Sequence, residues 1–166
     1  MKIGVLGTGI VGSTIASKLC ALGHEVTMGA RSAGNETART WAESAGTNAS
    51  EGSFADAAAF GALVFNCTSG MHALDALEEA GAANLAGKVL IDVANPLDFS
   101  QGRPPTLSVC NTDSLGEQIQ RALPETNVVK ALNTLNCLVM VDPARVPGDH
   151  DVFICGNDEG AKAQVR

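Results

Sequence analysis

Gly7-Thr8-Gly9-Ile10-Val11-Gly12 is a complete G-x-G-x-x-G, placed between the apolar run Lys2-Ile3-Gly4-Val5-Leu6 and a helical pattern. That setting makes a common motif constrain the fold, because the three glycines have separate tasks where a strand passes into a helix. Gly7 lets the chain turn off the strand, Gly9 leaves room for a pyrophosphate, and Gly12 lets the helix sit close to the sheet. N–H groups left free at the helix start, with the positive end of the helix dipole behind them, suit a phosphate.

The spacing of Val11, Ile15 and Leu19 predicts a helix from about Val11 to Leu22, closed by Gly23 as its C′ glycine. A second strand is expected over His24–Ala30, and its tip is where a dinucleotide site selects its cofactor. An NAD site places Asp or Glu there to bind the ribose 2′-hydroxyl. This chain has Ala30-Arg31-Ser32 instead. Arg31 offers a planar fork of donors and Ser32 a hydroxyl, both suited to a 2′-phosphate. One such charge-assisted bond contributes roughly 1.5 to 3 kcal/mol, enough to favour NADP. The competing reading of Arg31 is a solvated surface arginine.

The remaining chain alternates strands and helices. A helix is expected over Thr37–Ser44 with Trp41 packed on the sheet, a short strand over Thr47–Ala49, and a helix starting at Ser53. Ala62–Asn66 is a continuous apolar run of the kind buried on both faces of a parallel sheet. One helix over Met71–Ala82 and a strand over Lys88–Val93 come next, then a loop at Gln101–Pro105. Ser114 and Glu117 have capping-box spacing and open a helix that Pro124 closes. Strands at Val128–Leu132 and Val152–Cys155 flank a turn-rich loop, Asp142–Gly148, and Asp158 starts a last helix. The fold class expected is α/β: a doubly wound, mainly parallel sheet with helices on both faces, read as one dinucleotide-binding domain over 1–166.

Composition narrows the partners. The 166 residues are 45% apolar and 17% charged, with mean hydropathy +0.12, as in a globular chain. A net charge of −7 disfavours nucleic acid and anionic membrane as partners. No segment approaches a membrane span and the start is too short for a signal peptide, so a cytoplasmic protein is expected. Five widely spaced cysteines, never C-x-x-C, read as reduced and mostly buried, with no metal site expected.

Ligands of doubly wound sheets sit outside the carboxyl ends of the strands. That edge collects Thr8, Arg31, Thr68, Ser69, Asn95, Asn133 and Thr134, whereas His24 and Lys88 fall at the other. The chain has no tyrosine, which excludes the short-chain dehydrogenase chemistry that needs a phenol. His72 and His150 read as solvated, and Asp92 either serves as an acid or caps a neighbouring loop backbone. An edge rich in amides and hydroxyls and poor in titrating groups suits hydride transfer between two cofactors, since the second ring supplies its own acidic proton.

The segments GTGIVG, GARS, IDVANPLDF, NTDSLGEQIQRALP and VVKALNTLN resemble the NADP-reductase family that includes coenzyme F420-dependent NADP oxidoreductases. The resemblance implies that Thr8, Ile10 and Val11 line the pyrophosphate with Gly7, Gly9 and Gly12, that Arg31 and Ser32 hold the 2′-phosphate, and that Cys67, Thr68 and Ser69 border the cofactor. Asn95, Asn133, Thr134 and Leu135 would lie near the nicotinamide and the deazaflavin, with no firm catalytic residue. Hydride would pass between NADP(H) and a second cofactor, coenzyme F420. The carboxylate-bearing tail of that coenzyme would need a local basic patch, for which Arg103, Arg145 and Lys130 are candidates. Two alternatives are an NADPH-dependent reductase of an imine, keto acid or flavin/metal acceptor, and a non-catalytic NADP-binding redox sensor. The resemblance also implies a C-terminal segment of about forty residues beyond Arg166, and a homodimer, whose contact that segment would carry, is expected.

Overall fold

The N-terminal apolar run forms β1 (Lys2–Leu6), and its alternation sends Ile3 and Val5 to one face and Leu6 to the other. In the computed structural model, which describes residues 1–166, β1 is an interior strand of a seven-stranded sheet, next to its central strand. The further strands are β2 (Glu25–Ala30), β3 (Ala49–Ser53), β4 (Leu63–Asn66), β5 (Val89–Asp92), β8 (Asn127–Ala131) and β9 (Ile154–Gly156). Two short strands, β6 (Leu97–Asp98) and β7 (Thr106–Leu107), make a separate antiparallel hairpin. The order across the large sheet is β3-β2-β1-β4-β5-β8-β9. All neighbours are parallel except β8 and β9. The chain therefore reverses its direction of growth between β1 and β4, and a doubly wound sheet opens its ligand crevice at that reversal.

The helices are α1 (Ile10–Ala21), α2 (Glu36–Ala45), α3 (Phe54–Phe60), α4 (Ala73–Ala80), α5 (Ala82–Leu85), α6 (Leu115–Ala122), α7 (Cys137–Val141) and α8 (Glu159–Val165). They supply two apolar layers. Ile15, Trp41 and Ala161 pack with Ile3, Val5, Val26 and Met28 on one face, while Phe54, Leu77, Leu85 and Ile119 pack with Leu6, Val64, Leu90 and Val128 on the other. Each large aliphatic side chain so buried contributes about 1.5–3 kcal/mol. The Trp41 indole also donates to Ser17 Oγ at 3.0 Å, tying α2 to α1.

Local signals held where the chain chemistry is local. Gly23 has φ +84°, and His24 N donates to Leu19 O while Gly23 N donates to Cys20 O, a complete Schellman closure of α1. Ser53 and Asp56 form a reciprocal capping box at α3, and Ser114 caps α6 by accepting from Glu117 N. Differences arise where tertiary contact decides. The third strand runs over Ala49–Ser53 rather than Thr47–Ala49, because polar residues suffice at an edge, where Thr27 and Ser50 hydroxyls meet at 2.8 Å. The single helix expected over Met71–Ala82 is instead a 3-10 turn (Gly70–His72), then α4 and α5, separated at Gly81 with φ +85°. The loop at Gln101–Pro105 is the tip of the β6–β7 hairpin, and α7 has no counterpart in the periodicity. The last strand starts at Ile154, leaving Val152 and Phe153 exposed. The cysteines also depart from expectation: all five are free, but only Cys137 is buried, and Cys110 and Cys155 are exposed because they stand in a loop and an edge strand.

Candidate functional site

Gly7 and Gly12 are required by the chain itself. Gly7 has φ +114°, and a Cβ there would stand 2.7 Å from Cys67 O; a Cβ on Gly12 would stand 2.2 Å from Gly7 O. A Cβ on Gly9 would meet nothing within 4 Å. Of the three motif glycines only Gly9 faces open space, just where α1 begins. Gly9 is the N-cap and provides no side-chain cap, and no acidic residue stands in the first turn. By contrast α2, α3, α6, α7 and α8 are each capped by an Asn, Ser or Asp side chain. The open N-terminus of α1 can accept an anion of pyrophosphate size. Ile10 is 73% exposed, an apolar side chain with no place in the core and free to lie along a ligand.

At the tip of β2, Arg31 and Ser32 are exposed. Folding brings two carboxylates to this corner that the local sequence does not contain. Glu79 of α4 stands 4.0 Å from Arg31 Nε, and Glu51 of β3 accepts from Gly34 N at 3.0 Å. The loose Arg31 contact, with the side chain 81% exposed, leaves the guanidinium fork available.

Past the switch point, α1 and the loops after β4, β5 and β8 line an open cavity of about 240 Å³. Val11, Cys67, Thr68, Ser69, Asn95, Asn133 and Leu135 all line it, so seven expected residues from four segments come together. Thr134 is exposed and lines neither this cavity nor the next. Sequence reasoning missed Gly70, Phe99 and Met140 in the same wall. Gly70 carries a distance signal only in three dimensions, since a Cβ there would stand 2.1 Å from Asn95 O. A second cavity of about 620 Å³ opens between the hairpin, α6, β8 and β9, and shares Asn95 and Asn133 with the first.

The backbone of Leu132 precedes this wall with φ +64°, a left-handed conformation that swings the chain off β8 and brings Asn133 back toward Asn95. The only titrating group in the smaller cavity is the Cys67 thiol. Although the residue keeps some exposure, burial of the thiol, and secondarily the Asp92 carboxylate, push its pKa well up, so it stays protonated and unreactive. Beneath the cavity, Asp92 does cap the backbone as one sequence reading held, accepting from Ala94 N at 3.2 Å.

The three basic-patch candidates do not gather. Lys130 is ion-paired to buried Asp92 at 2.8 Å, Arg145 to Asp142 at 3.3 Å, and Arg103 lies over the Phe99 ring at 5.7 Å. His72 is exposed beside Asp75, and His150 is exposed and in contact with Val146 O. No three His, Cys, Asp or Glu side chains converge as metal ligands, and no helix is long and apolar enough to cross a membrane.

The family model described as NADP oxidoreductase, coenzyme F420-dependent, matches residues 2–96. Among solved structures, a candidate F420-dependent NADP-reductase from Arthrobacter sp. FB24 is 54% identical, with 99% of this chain and 77% of that one covered and a TM-score of 0.93. The F420-dependent NADP reductase of Methanocaldococcus jannaschii is 35% identical over 82 residues, 49% of this chain and 36% of that protein. The metalloreductase STEAP3 of Rattus norvegicus is 28% identical over 164 residues, 99% of this chain and 30% of that protein. The chain thus spans about a third of the length of these curated relatives.

Proposed function

The chain belongs to the coenzyme F420-dependent NADP oxidoreductase family, and from that premise we propose that it binds NADP(H) and exchanges hydride between this cofactor and the deazaflavin ring of coenzyme F420. In this reading the uncapped start of α1, with Gly7, Thr8, Gly9, Ile10, Val11 and Gly12, holds the pyrophosphate. Arg31 and Ser32 hold the 2′-phosphate, and Arg31 turns from Glu79 to do so. Cys67, Thr68 and Ser69 border the cofactor, whose nicotinamide lies toward Asn95, Asn133 and Leu135, while Thr134 is exposed outside both cavities. When bound, NADPH supplies the hydride.

The observation that carries the proposal is the cavity wall itself. Its polar groups are amides, hydroxyls and one protonated thiol, so it can orient a flat ring but offers no acid to a ketone or imine, and in the wall of the larger cavity Lys130 is committed to Asp92, Arg121 to Asp113 and Glu117 to Ser114. That favours an acceptor ring carrying its own proton site over the keto acid and imine alternatives. The experiment is to mix the protein with NADPH and oxidised coenzyme F420 and follow the deazaflavin absorbance. Bleaching in step with NADPH consumption is expected. Persistent absorbance with turnover of an imine or keto acid instead would overturn the F420 assignment, and NADPH binding without turnover of any acceptor would favour the sensor reading.

A further inference from the structure

Asn66, Asp92 and Lys130 occupy paired positions at the carboxyl ends of β4, β5 and β8. Asp92 is fully buried and the Lys130 side chain is 20% exposed, with their charged atoms 2.8 Å apart. A buried ion pair usually costs more in lost hydration than a well-packed apolar pair of the same volume would. Its presence here calls for something that apolar packing cannot supply, and the hydrogen bonds show what that is.

Asp92 Oδ1 accepts from Asn66 Nδ2 at 2.8 Å and from Ala94 N at 3.2 Å, while Lys130 Nζ donates both to Asp92 Oδ2 and to Ala94 O. Ala94 is therefore held by its N–H and by its carbonyl. On the other side, Asn66 Oδ1 accepts from Thr68 Oγ1 at 2.7 Å and Thr68 N at 3.3 Å. One continuous chain of bonds runs from the loop after β4 to the loop after β5, and these loops face each other across the smaller cavity, which neither Asn66 nor Asp92 lines. An aliphatic residue in place of Lys130 would fill the space but leave the Ala94 carbonyl without its donor.

We propose that Asp92 and Lys130 are a positioning pair: through the Ala94 backbone they fix the Val93–Asn95 wall against the Thr68 loop and so set the slot into which a nicotinamide ring fits. This rests on the NADP(H) reading above. The pair acts on the ring end of the dinucleotide and not on its adenosine end.

The test uses the Asp92→Asn/Lys130→Met double variant, which removes both charges together, and two ligands: NADPH and 2′-phospho-ADP-ribose, which lacks the nicotinamide. The expected result is that the variant binds 2′-phospho-ADP-ribose as the parent does, binds NADPH about ten-fold more weakly, and loses the fluorescence change of bound nicotinamide. A folded variant that binds both ligands normally, or loses both equally, overturns the proposal. If the parent binds neither ligand, the NADP(H) reading falls and takes this one with it. Hydrogen exchange on the unaltered protein gives a readout independent of whether the variant folds: the Ala94 amide should exchange as slowly as those of β5, and exchange at the rate of the surface loops would overturn the pair's role.

Discussion

Asn95 and Asn133 bond to each other twice: Asn95 Nδ2 donates to the Asn133 carbonyl at 2.7 Å, and Asn133 Nδ2 donates to Asn95 Oδ1 at 3.1 Å. The pair joins the loop after β5 to the loop after β8 and stands in the wall common to both cavities. A dinucleotide ring in the smaller cavity and an acceptor reaching from the larger one would meet at this pair.

Asn133→Ala removes the second of these bonds and keeps the first. With one hydrogen bond worth about 0.5–1.5 kcal/mol, hydride transfer should slow by about two- to ten-fold and the thermal midpoint should fall by a few degrees, while NADPH affinity stays nearly unchanged. Single-turnover mixing of NADPH with the acceptor separates the two quantities. A large loss of NADPH affinity would move the pair from the acceptor side to the cofactor side.

Arg31→Asp should weaken NADPH binding by about ten-fold or more and spare NADH, since only the former carries the 2′-phosphate. Fluorescence titration with both cofactors checks this. Glu79→Gln, which frees Arg31 from its contact at 4.0 Å, should tighten NADPH binding slightly. Equal losses for both cofactors in the Arg31 variant would mark damage to the fold.

Gly9 and Gly12 should separate binding from folding. Gly9→Val adds a side chain into open space, so the thermal midpoint holds while NADPH binding is lost. Gly12→Val drives a Cβ to 2.2 Å from Gly7 O, so the protein itself is destabilised. Thermal unfolding with and without NADPH distinguishes the two outcomes, and similar unfolding losses in both variants would refute the open space at Gly9.

Acid should destabilise the protein through three surface carboxyls. Hydrogen bonding from Ser53 holds Asp56 below its ordinary value, backbone and side-chain bonding from Ser100 does the same for Asp98, and Arg121 followed by Gln118 for Asp113. Each folded-state value lies below the unfolded one, so the stability it lends is complete above the ordinary aspartate value near 3.9 and is lost as pH falls through the lower folded values. Urea midpoints should be flat from neutral pH down to about 5 and decline below 4. Ser53→Ala should cost about 1 kcal/mol at neutral pH and make the acid decline shallower. An unchanged acid profile in that variant would show that the capping box does not set it.

Thiol labelling should follow exposure. Cys110 and Cys155 are expected to alkylate first, and Cys67 and Cys137 last, because burial keeps the Cys67 thiol protonated and covers Cys137. Mass spectrometry of partially labelled protein reads the order. Cys155 also lines the larger cavity, so a bulky label there should hinder the acceptor and leave NADPH binding intact.

The sequence by itself determined whatever depends on neighbours along the chain. The strand, glycine turn and α1, the Gly23 closure, the caps at Ser53, Ser114 and Asp158, and the cationic tip at Arg31 all follow from residues within a few positions of each other. The tertiary structure alone decided what depends on distance in space: β9 running antiparallel, the β6–β7 hairpin, Gly70 against Asn95, Glu79 reaching Arg31, and Lys130 committed to Asp92. The reason is physical. Backbone propensity, capping and glycine sterics act over one or two turns, whereas an ion pair or a close approach between loops exists only after the sheet has set the register of strands that lie tens of residues apart.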